Sequence, residues 1–269
     1  MSAPQPFVHD RSNGVLFDDM DVARSYGDRA PYAPALYEFL LTQLPARRRL
    51  LDLGCGPGKV ALALVHAFDA VDAVEPAAPM LVVAREQGGS QSINWIEAGT
   101  EEAPLFPPYD LVTAGASLHW MKHDVVFPRL ADALAPHGIL AVIDGDDVFE
   151  SAWDGELKAF LTRWLARLGR TYDPAGFRIA LRGYLPWLDL QGERSFIYEH
   201  VTPLRNYVSA QHSRATWTRA AMGETLASEF DEDLAATLTP FANDGLLRFR
   251  VKSELVWGRP RKTPKSRAE

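Results

Sequence analysis

Three glycines at alternate positions, in Gly54-Cys55-Gly56-Pro57-Gly58, interrupt the chain just after the apolar run Leu50-Leu51-Asp52-Leu53. A carboxylate, Glu75, closes the next apolar run, Val71-Asp72-Ala73-Val74-Glu75, 23 residues after Asp52. Glycine carries no side chain, so the backbone there turns tightly and approaches a ligand closely. The amides at the start of the following helix favour an anionic group such as a carboxylate or phosphate. A carboxylate at the end of the second strand accepts both ribose hydroxyls of a nucleoside. A hydrogen bond to a charged group contributes about 1.5–3 kcal/mol, so Glu75 selects a free ribose and repels a 2′-phosphate. The bland alternative for Glu75 is a solvated strand end.

A second chemical cluster is Gly115-Ala116-Ser117-Leu118-His119-Trp120-Met121, after the fourth apolar run. Loops at the carboxyl ends of parallel strands are where such sheets bind ligands. His119 can act as a base or orient a reaction partner, and Trp120 can wall a pocket. In the competing view His119 bonds backbone and Trp120 is core. The remaining histidines show no metal-ligand spacing, and no metal site is expected. Asp144-Gly145-Asp146-Asp147 reads either as a strand-ending turn or as a magnesium site. Cys55 is the single cysteine; it reads as a space-filler, because a thiol nucleophile there lacks a histidine partner.

The elements that must position these residues alternate. Leu50–Leu53, Ala70–Val74, Ile93–Ile96, Asp110–Ala114 and Ile139–Ile143 read as short buried strands. Lys59–Phe68, a helix starting over Pro79–Arg85, and Val125–Leu134 read as the helices between them. Such alternation implies an α/β fold with a parallel sheet covered on both faces. Beyond Asp147 the texture changes. Trp153, Leu157, Phe160, Leu161, Trp164, Leu165 and Leu168 predict an amphipathic helix over Ser151–Arg170, either a lid over a substrate pocket or a packing face. Tyr184–Leu190 reads as a loop or broken helix, Ala215–Met222 and Asp231–Leu238 as helices, and Ser195–His200 and Leu247–Trp257 as late strands. Arg163, Arg167, Arg178 and Arg182 meet an acidic substrate or form a solvated face.

The chain has 269 residues, is 47% hydrophobic and carries a formal net charge of −7. That apolar mass excludes disorder for most of it, and the acidic balance argues against nucleic acid as the default partner. No run is long and apolar enough for a membrane span. Met1–Asp10 lacks the apolar stretch of a signal peptide, so a cytoplasmic chain is expected. Met1–Gly14 and the basic stretch Arg259–Glu269 read as loose.

Leu50–Val65 with Glu75, then Tyr109-Asp110-Leu111-Val112, then Leu134-Ala135-Pro136-His137-Gly138, resemble the class I S-adenosylmethionine-dependent methyltransferases, in particular the small-molecule group that includes the trans-aconitate methyltransferases. The likeness covers about Ala23–Asp144, with a weaker echo at Val256–Pro260. It implies a doubly wound, mostly parallel, seven-stranded Rossmann-like sheet with an inserted helical lid. The implied division is an N-terminal segment at 1–22, a cofactor-binding core at 23–148, a mainly helical acceptor or lid region at 149–245, a final strand at 246–260 and a basic tail at 261–269. The implied cofactor is S-adenosylmethionine and the implied partner a small-molecule acceptor.

By the same resemblance Asp52, Gly54, Gly56 and Gly58, with Cys55 between them, hold the methionine half of the cofactor. Glu75 holds the ribose, Pro76 and Met80 lie near the adenine, and Gly115 borders the cofactor. Ala98-Gly99-Thr100-Glu101-Glu102 matches the adenine-binding turn, but Thr100 stands where the family usually has an acidic residue. Thr100 or Glu101 receives the adenine amino group. His137 replaces a common glycine. Tyr26, Arg29 and Tyr32 match a segment that folds over the cofactor in relatives; Arg29 can pair with its carboxylate and Tyr26 can screen the sulfonium. Ser117, His119 and Trp120 face the acceptor. Two rivals follow: a catalytically inactive relative, for which the Thr100 departure leaves room, and a nicotinamide-dependent dehydrogenase, against which the G-x-G-x-G spacing and the lack of a tyrosine followed four residues later by lysine both argue.

Overall fold

The computed structural model describes residues 17–88, 92–170 and 181–265. Met1–Gly14, Arg178 and the tail end at 266–269 lie outside the described residues. In chain order come α1 (Met20–Gly27), α2 (Pro34–Thr42), β1 (Arg49–Leu53), α3 (Lys59–Leu64), β2 (Ala70–Glu75), α4 (Ala78–Gly88), β3 (Asn94–Glu97), β4 (Tyr109–Gly115), α5 (His123–Ala133) and β5 (Leu134–Asp144). There follow β6 (Val148–Glu150), α6 (Asp154–Arg167), β7 (Leu188–Pro203), α7 (Leu204–Gln211), α8 (Arg219–Met222), α9 (Glu224–Leu238) and β8 (Leu246–Pro260).

Seven strands follow the order β3-β2-β1-β4-β5-β8-β6, and β7 pairs with β8 off that path. The fold is α/β and Rossmann-like. The chain forms two compact units. A sheet unit holds Pro31–Gly145, Ala180–Phe196 and Ser253–Glu269; a helical unit holds Met1–Ala30, Asp146–Ile179 and Ile197–Lys252.

In the sheet unit β1 to β5 pair in parallel, and Glu254–Gly258 of β8 runs antiparallel to β5. Strand order reverses at β1, which lies between β2 and β4. A crevice opens outside the carboxyl ends of strands at such a switch point. The apolar runs are buried because helices cover both faces: Val126, Phe127 and Leu130 of α5 join Leu51, Val112 and Leu140 in one core. β5 starts five residues before the expected Ile139. Tyr109 pairs with Leu134 and Leu111 with Ile139, so a bulge takes up the residues between. Gly138 is obligatory there, since a Cβ would lie 2.5 Å from the Tyr109 carbonyl oxygen. Arg259 Nη1 donates to the carbonyls of Pro136 and Gly138, both at 2.8 Å, while His137 is exposed. α3 ends early, passing into a 3-10 turn at Val65–Ala67.

The helical unit packs Trp153, Phe160 and Trp164 against Phe230, Leu234 and Leu247. The rings of Phe160 and Trp164 meet that of Phe230 edge-on at 5.0 and 5.2 Å. Core packing thus occupies the three largest side chains of the stripe predicted at Ser151–Arg170. The helix itself is shorter, Asp154–Arg167, because Gly169 takes a left-handed φ of 62°. Helix within Ala215–Met222 is confined to Arg219–Met222, where the Thr218 side chain caps the Ala221 amide at 3.2 Å. α9 starts at Glu224 rather than Asp231, because Ala227 and Phe230 extend its buried face upstream. β7 starts at Leu188 rather than Ser195; its first half is a mostly exposed run with no apolar alternation to reveal it. Tyr184–Leu190 divides into a 3-10 turn at Leu185–Trp187 and the start of that strand.

One buried polar network ties the amino ends of four strands. Asp72 on β2 accepts from Arg49 Nη1 of β1 at 3.0 Å, Asn94 Nδ2 of β3 at 2.8 Å and the Tyr109 hydroxyl of β4 at 3.0 Å. That hydroxyl in turn accepts from the Phe106 amide at 2.8 Å. Burial pushes the Tyr109 phenol above its ordinary range, so it keeps its proton and donates. Tyr109→Phe strands the Phe106 amide and removes a donor from a buried carboxylate. It should lower the unfolding free energy by about 1–3 kcal/mol, read from urea denaturation; an unshifted midpoint would show that the network contributes nothing.

Candidate functional site

The glycine loop opens straight from β1. Gly54, Gly56 and Gly58 have φ of 58°, 54° and 86°, a left-handed region that other residues rarely adopt. Each glycine also meets a different spatial demand. A Cβ on Gly54 would lie 2.7 Å from Ser117 Cβ, and one on Gly58 would lie 2.8 Å from the Trp95 ring. On Gly56 it would meet nothing within 4 Å. Two glycines thus permit close packing against protein, and the middle one borders open space.

Glu75 is brought directly onto this loop. Its Oε2 accepts from the Gly56 amide at 2.9 Å and its Oε1 from the Ala77 amide at 3.0 Å. The bend and the acid, Gly56 and Glu75, are therefore hydrogen-bonded neighbours 19 residues apart in sequence. The Cys55 amide donates to the Val74 carbonyl at 3.0 Å, which fixes the loop against β2.

Asp52 lies behind the loop. It is 1% exposed; Oδ1 accepts from Thr113 Oγ1 at 2.7 Å and Oδ2 from the Ala61 amide at 3.0 Å. Each oxygen accepts from a protein donor, so Asp52 braces β1, β4 and α3. Burial pushes its carboxyl up to about 7; the Thr113 and Ala61 bonds pull it down, and the charge of Glu75 raises it. Burial likewise pushes the Cys55 thiol well above its ordinary range, with Asp52 and Glu75 adding to the effect. Cys55 is a buried, protonated thiol.

The loop after β4 is pinned to β1 by Ser117, whose Oγ donates to the Leu53 carbonyl at 2.6 Å. Ser117 is itself buried. Ala116 carries a φ of 50°, a strained value for a residue with a Cβ. A Cβ on Gly115 would lie 3.4 Å from the Tyr32 hydroxyl, and Lys59 Nζ sits 5.1 Å from the centre of the Tyr32 ring. His119 and Trp120 are half-buried in the 3-10 turn Leu118–Trp120, with ring centres 4.8 Å apart. Near the end of β3, Gly99–Ala103 forms a tight turn: the Glu102 and Ala103 amides both donate to the Gly99 carbonyl, at 3.2 and 2.9 Å. Glu101 Oε1 accepts from the Lys122 amide at 2.7 Å. Met80 is buried in α4, and Pro76 is exposed at the turn before it.

Tyr26 and Arg29 belong to the helical unit, where Arg29 pairs with Asp146 and lies over the Tyr26 ring. Asp147 pairs there with Arg214 at 2.8 Å. Arg163 and Arg167 pair with Asp233 and Glu229 in the helical unit, and Arg182 pairs with Glu193 in the sheet unit. Among the described residues no group of three or more His, Cys, Asp or Glu is placed to hold a metal, and no helix is long and apolar enough to cross a membrane. Sequence reasoning missed Thr113, and it missed Arg129, whose Nη1 and Nη2 donate to the Thr100 and Ala103 carbonyls of the Gly99–Ala103 turn. Thr113 had a signal, as the one hydroxyl in the apolar run Leu111–Ala114. Arg129 had none.

The Methyltransferase domain family matches residues 50–138. A trans-aconitate 2-methyltransferase of Acidovorax sp. (strain JS42) is 30% identical over 180 residues, covering 63% of this chain and 68% of that protein. One from Variovorax paradoxus (strain S110) is 37% identical over 102 residues, covering 37% and 39%. Against several such relatives the chain spans about two fifths of their length, 39%, 44% and 41%. A solved structure from Anaeromyxobacter dehalogenans, a candidate type II methyltransferase by its own description, shares the fold: the TM-score is 0.65 at 23% identity, over 88% of this chain and 99% of that one. The chain belongs to the class I S-adenosylmethionine-dependent methyltransferases.

A carboxyl with a folded value above its unfolded value favours the fold while protonated. For Asp52 stability should therefore fall as pH rises from about 4 towards about 7 and level off above that. Asp52→Asn mimics the protonated form and should remove this slope, a difference of up to a few kcal/mol between pH 5 and pH 8. Parallel pH profiles in denaturant titrations of the two proteins would overturn the assignment.

Proposed function

We propose that this protein transfers a methyl group from S-adenosylmethionine to a small-molecule acceptor. One observation carries the reading: the Glu75 carboxylate is fastened to the Gly56 amide at a bend whose open side would accommodate a ligand. An acceptor-only group at that place suits the two hydroxyl donors of a ribose, and the chemistry of the donor set fits the cofactor. The relatives named as trans-aconitate 2-methyltransferases support a small acceptor.

When bound, the cofactor supplies an electrophilic methyl on a sulfonium that is displaced in line. What remains for the chain is binding, alignment and exclusion of water; positioning alone contributes about 7–11 kcal/mol. The loop of Gly54, Gly56 and Gly58 holds the amino-acid half, Gly56 giving the close approach while Gly54 and Gly58 let the loop pack against Ser117 and Trp95, with Asp52 and Cys55 holding it from behind. Glu75 takes the ribose. Pro76 and Met80 border the base, and Thr100 or Glu101 takes its amino group. Gly115 lets the β4 loop lie close to the cofactor. Ser117 pins that loop, and His119 with Trp120 presents the acceptor, His119 accepting its proton where the acceptor is a hydroxyl or phenol.

Glu75→Ala should weaken S-adenosylhomocysteine binding by about 1.5–3 kcal/mol, roughly 10- to 150-fold, measured by calorimetry on protein shown to melt cooperatively. Wild-type affinity would remove the ribose assignment. His119→Ala should lower kcat while leaving S-adenosylhomocysteine affinity unchanged; wild-type turnover would leave the histidine structural.

A further inference from the structure

We infer that Arg129 is a positioning residue for base recognition, setting the selectivity of the Gly99–Ala103 turn for adenine. The inference rests on the reading above that this turn receives the base.

Arg129 projects from α5. Its Nη1 donates to the Thr100 carbonyl at 2.6 Å and its Nη2 to the Ala103 carbonyl at 2.5 Å. One planar guanidinium therefore spans both limbs of the turn. The two donors sit in a rigid fork, so the bonds set the direction of each carbonyl as well as its distance. A trans peptide is planar, and its C=O and N–H point opposite ways. Fixing the Thr100 carbonyl towards Arg129 thus aims the Glu101 amide to the other side. Among the described residues the Thr100 and Glu101 amides make no backbone hydrogen bond, whereas those of Glu102 and Ala103 are committed to Gly99.

The second tie is independent of the first. Glu101 Oε1 accepts from the Lys122 amide just before α5, so the turn is held to this helix by a side chain from each direction. Together they hold a backbone donor and side-chain acceptors in a fixed relation. Adenine presents the complement, a ring-nitrogen acceptor beside an amino donor. Hypoxanthine reverses both groups, with a ring N–H beside an oxo group. A turn held rigid rejects that reversal, because relaxation would break its ties to α5; a loosened turn tolerates it.

The test is calorimetric binding of S-adenosylhomocysteine and S-inosylhomocysteine to the full chain and to Arg129→Met and Arg129→Lys. The wild type should prefer the adenosyl compound by about tenfold or more, the size of one well-placed polar contact. Arg129→Met should bring that ratio close to one. Arg129→Lys should fall between, since an ammonium keeps the charge and loses the fork; should Arg129→Met fail to fold, Arg129→Lys carries the same readout. A merely structural arginine would lower the melting temperature and weaken both ligands alike, leaving the ratio at the wild-type value. A retained ratio in the variants overturns the role of Arg129 and leaves the adenine reading intact. A wild type that binds both compounds equally overturns the adenine reading and the inference with it.

Discussion

Glu75 joins two backbone amides through one side chain, and the site is organised around that fact. Gly56 lies on the loop after β1 and Ala77 on the turn after β2. Neither amide has a strand partner in place of the carboxylate, and buried amides left unbonded are costly. The parallel register of β1 and β2 sets the distance, pairing Leu53 with Val74 one residue before the acid. A slip of one residue would send Glu75 to the opposite face of the sheet. The buried register of the strands thus determines whether the bend and the acid meet at all.

Behind that contact sits a second acid whose environment pulls the other way. Asp52 is walled off by Thr113 and Ala61, and its charged form is disfavoured by burial and by the charge of Glu75. Two carboxylates near each other with different surroundings take different roles. Glu75 faces backbone donors at the loop, whereas Asp52 works as a brace that gains from holding a proton. The loop's shape and the site's charge are therefore linked, since the charge of Glu75 acts on Asp52.

Much of this was legible from residue order. Short apolar runs punctuated by glycine and proline give parallel strands because both faces are covered, and the strands from β1 to β5 lie where those runs do. The glycine loop and Glu75 were legible because their chemistry is local: a residue without a side chain, and an acid closing an apolar run. Less was legible where tertiary partners decide the outcome. Nothing near Leu188 marks a strand start, since that part of β7 is exposed and charged. Nothing around Arg129 points to Thr100, because the bond joins a helix side chain to carbonyls 29 and 26 residues back. Residue order shows the place of Asp52 beside the glycines but not its bonds to Thr113 and Ala61.

The division of the chain bears on how it is made. Each unit is assembled from three separated stretches, and both draw residues from β8, the last strand. No single cut releases either unit whole. During synthesis the ladder from β1 to β5 emerges with its partner on the far side of β5 still untranslated, so an open strand edge, of the kind that invites pairing between chains, awaits the final stretch. Long-range closure of this kind is slow compared with local helix formation. Newly made chains would consequently depend on protection of the β5 edge until β8 has been synthesised.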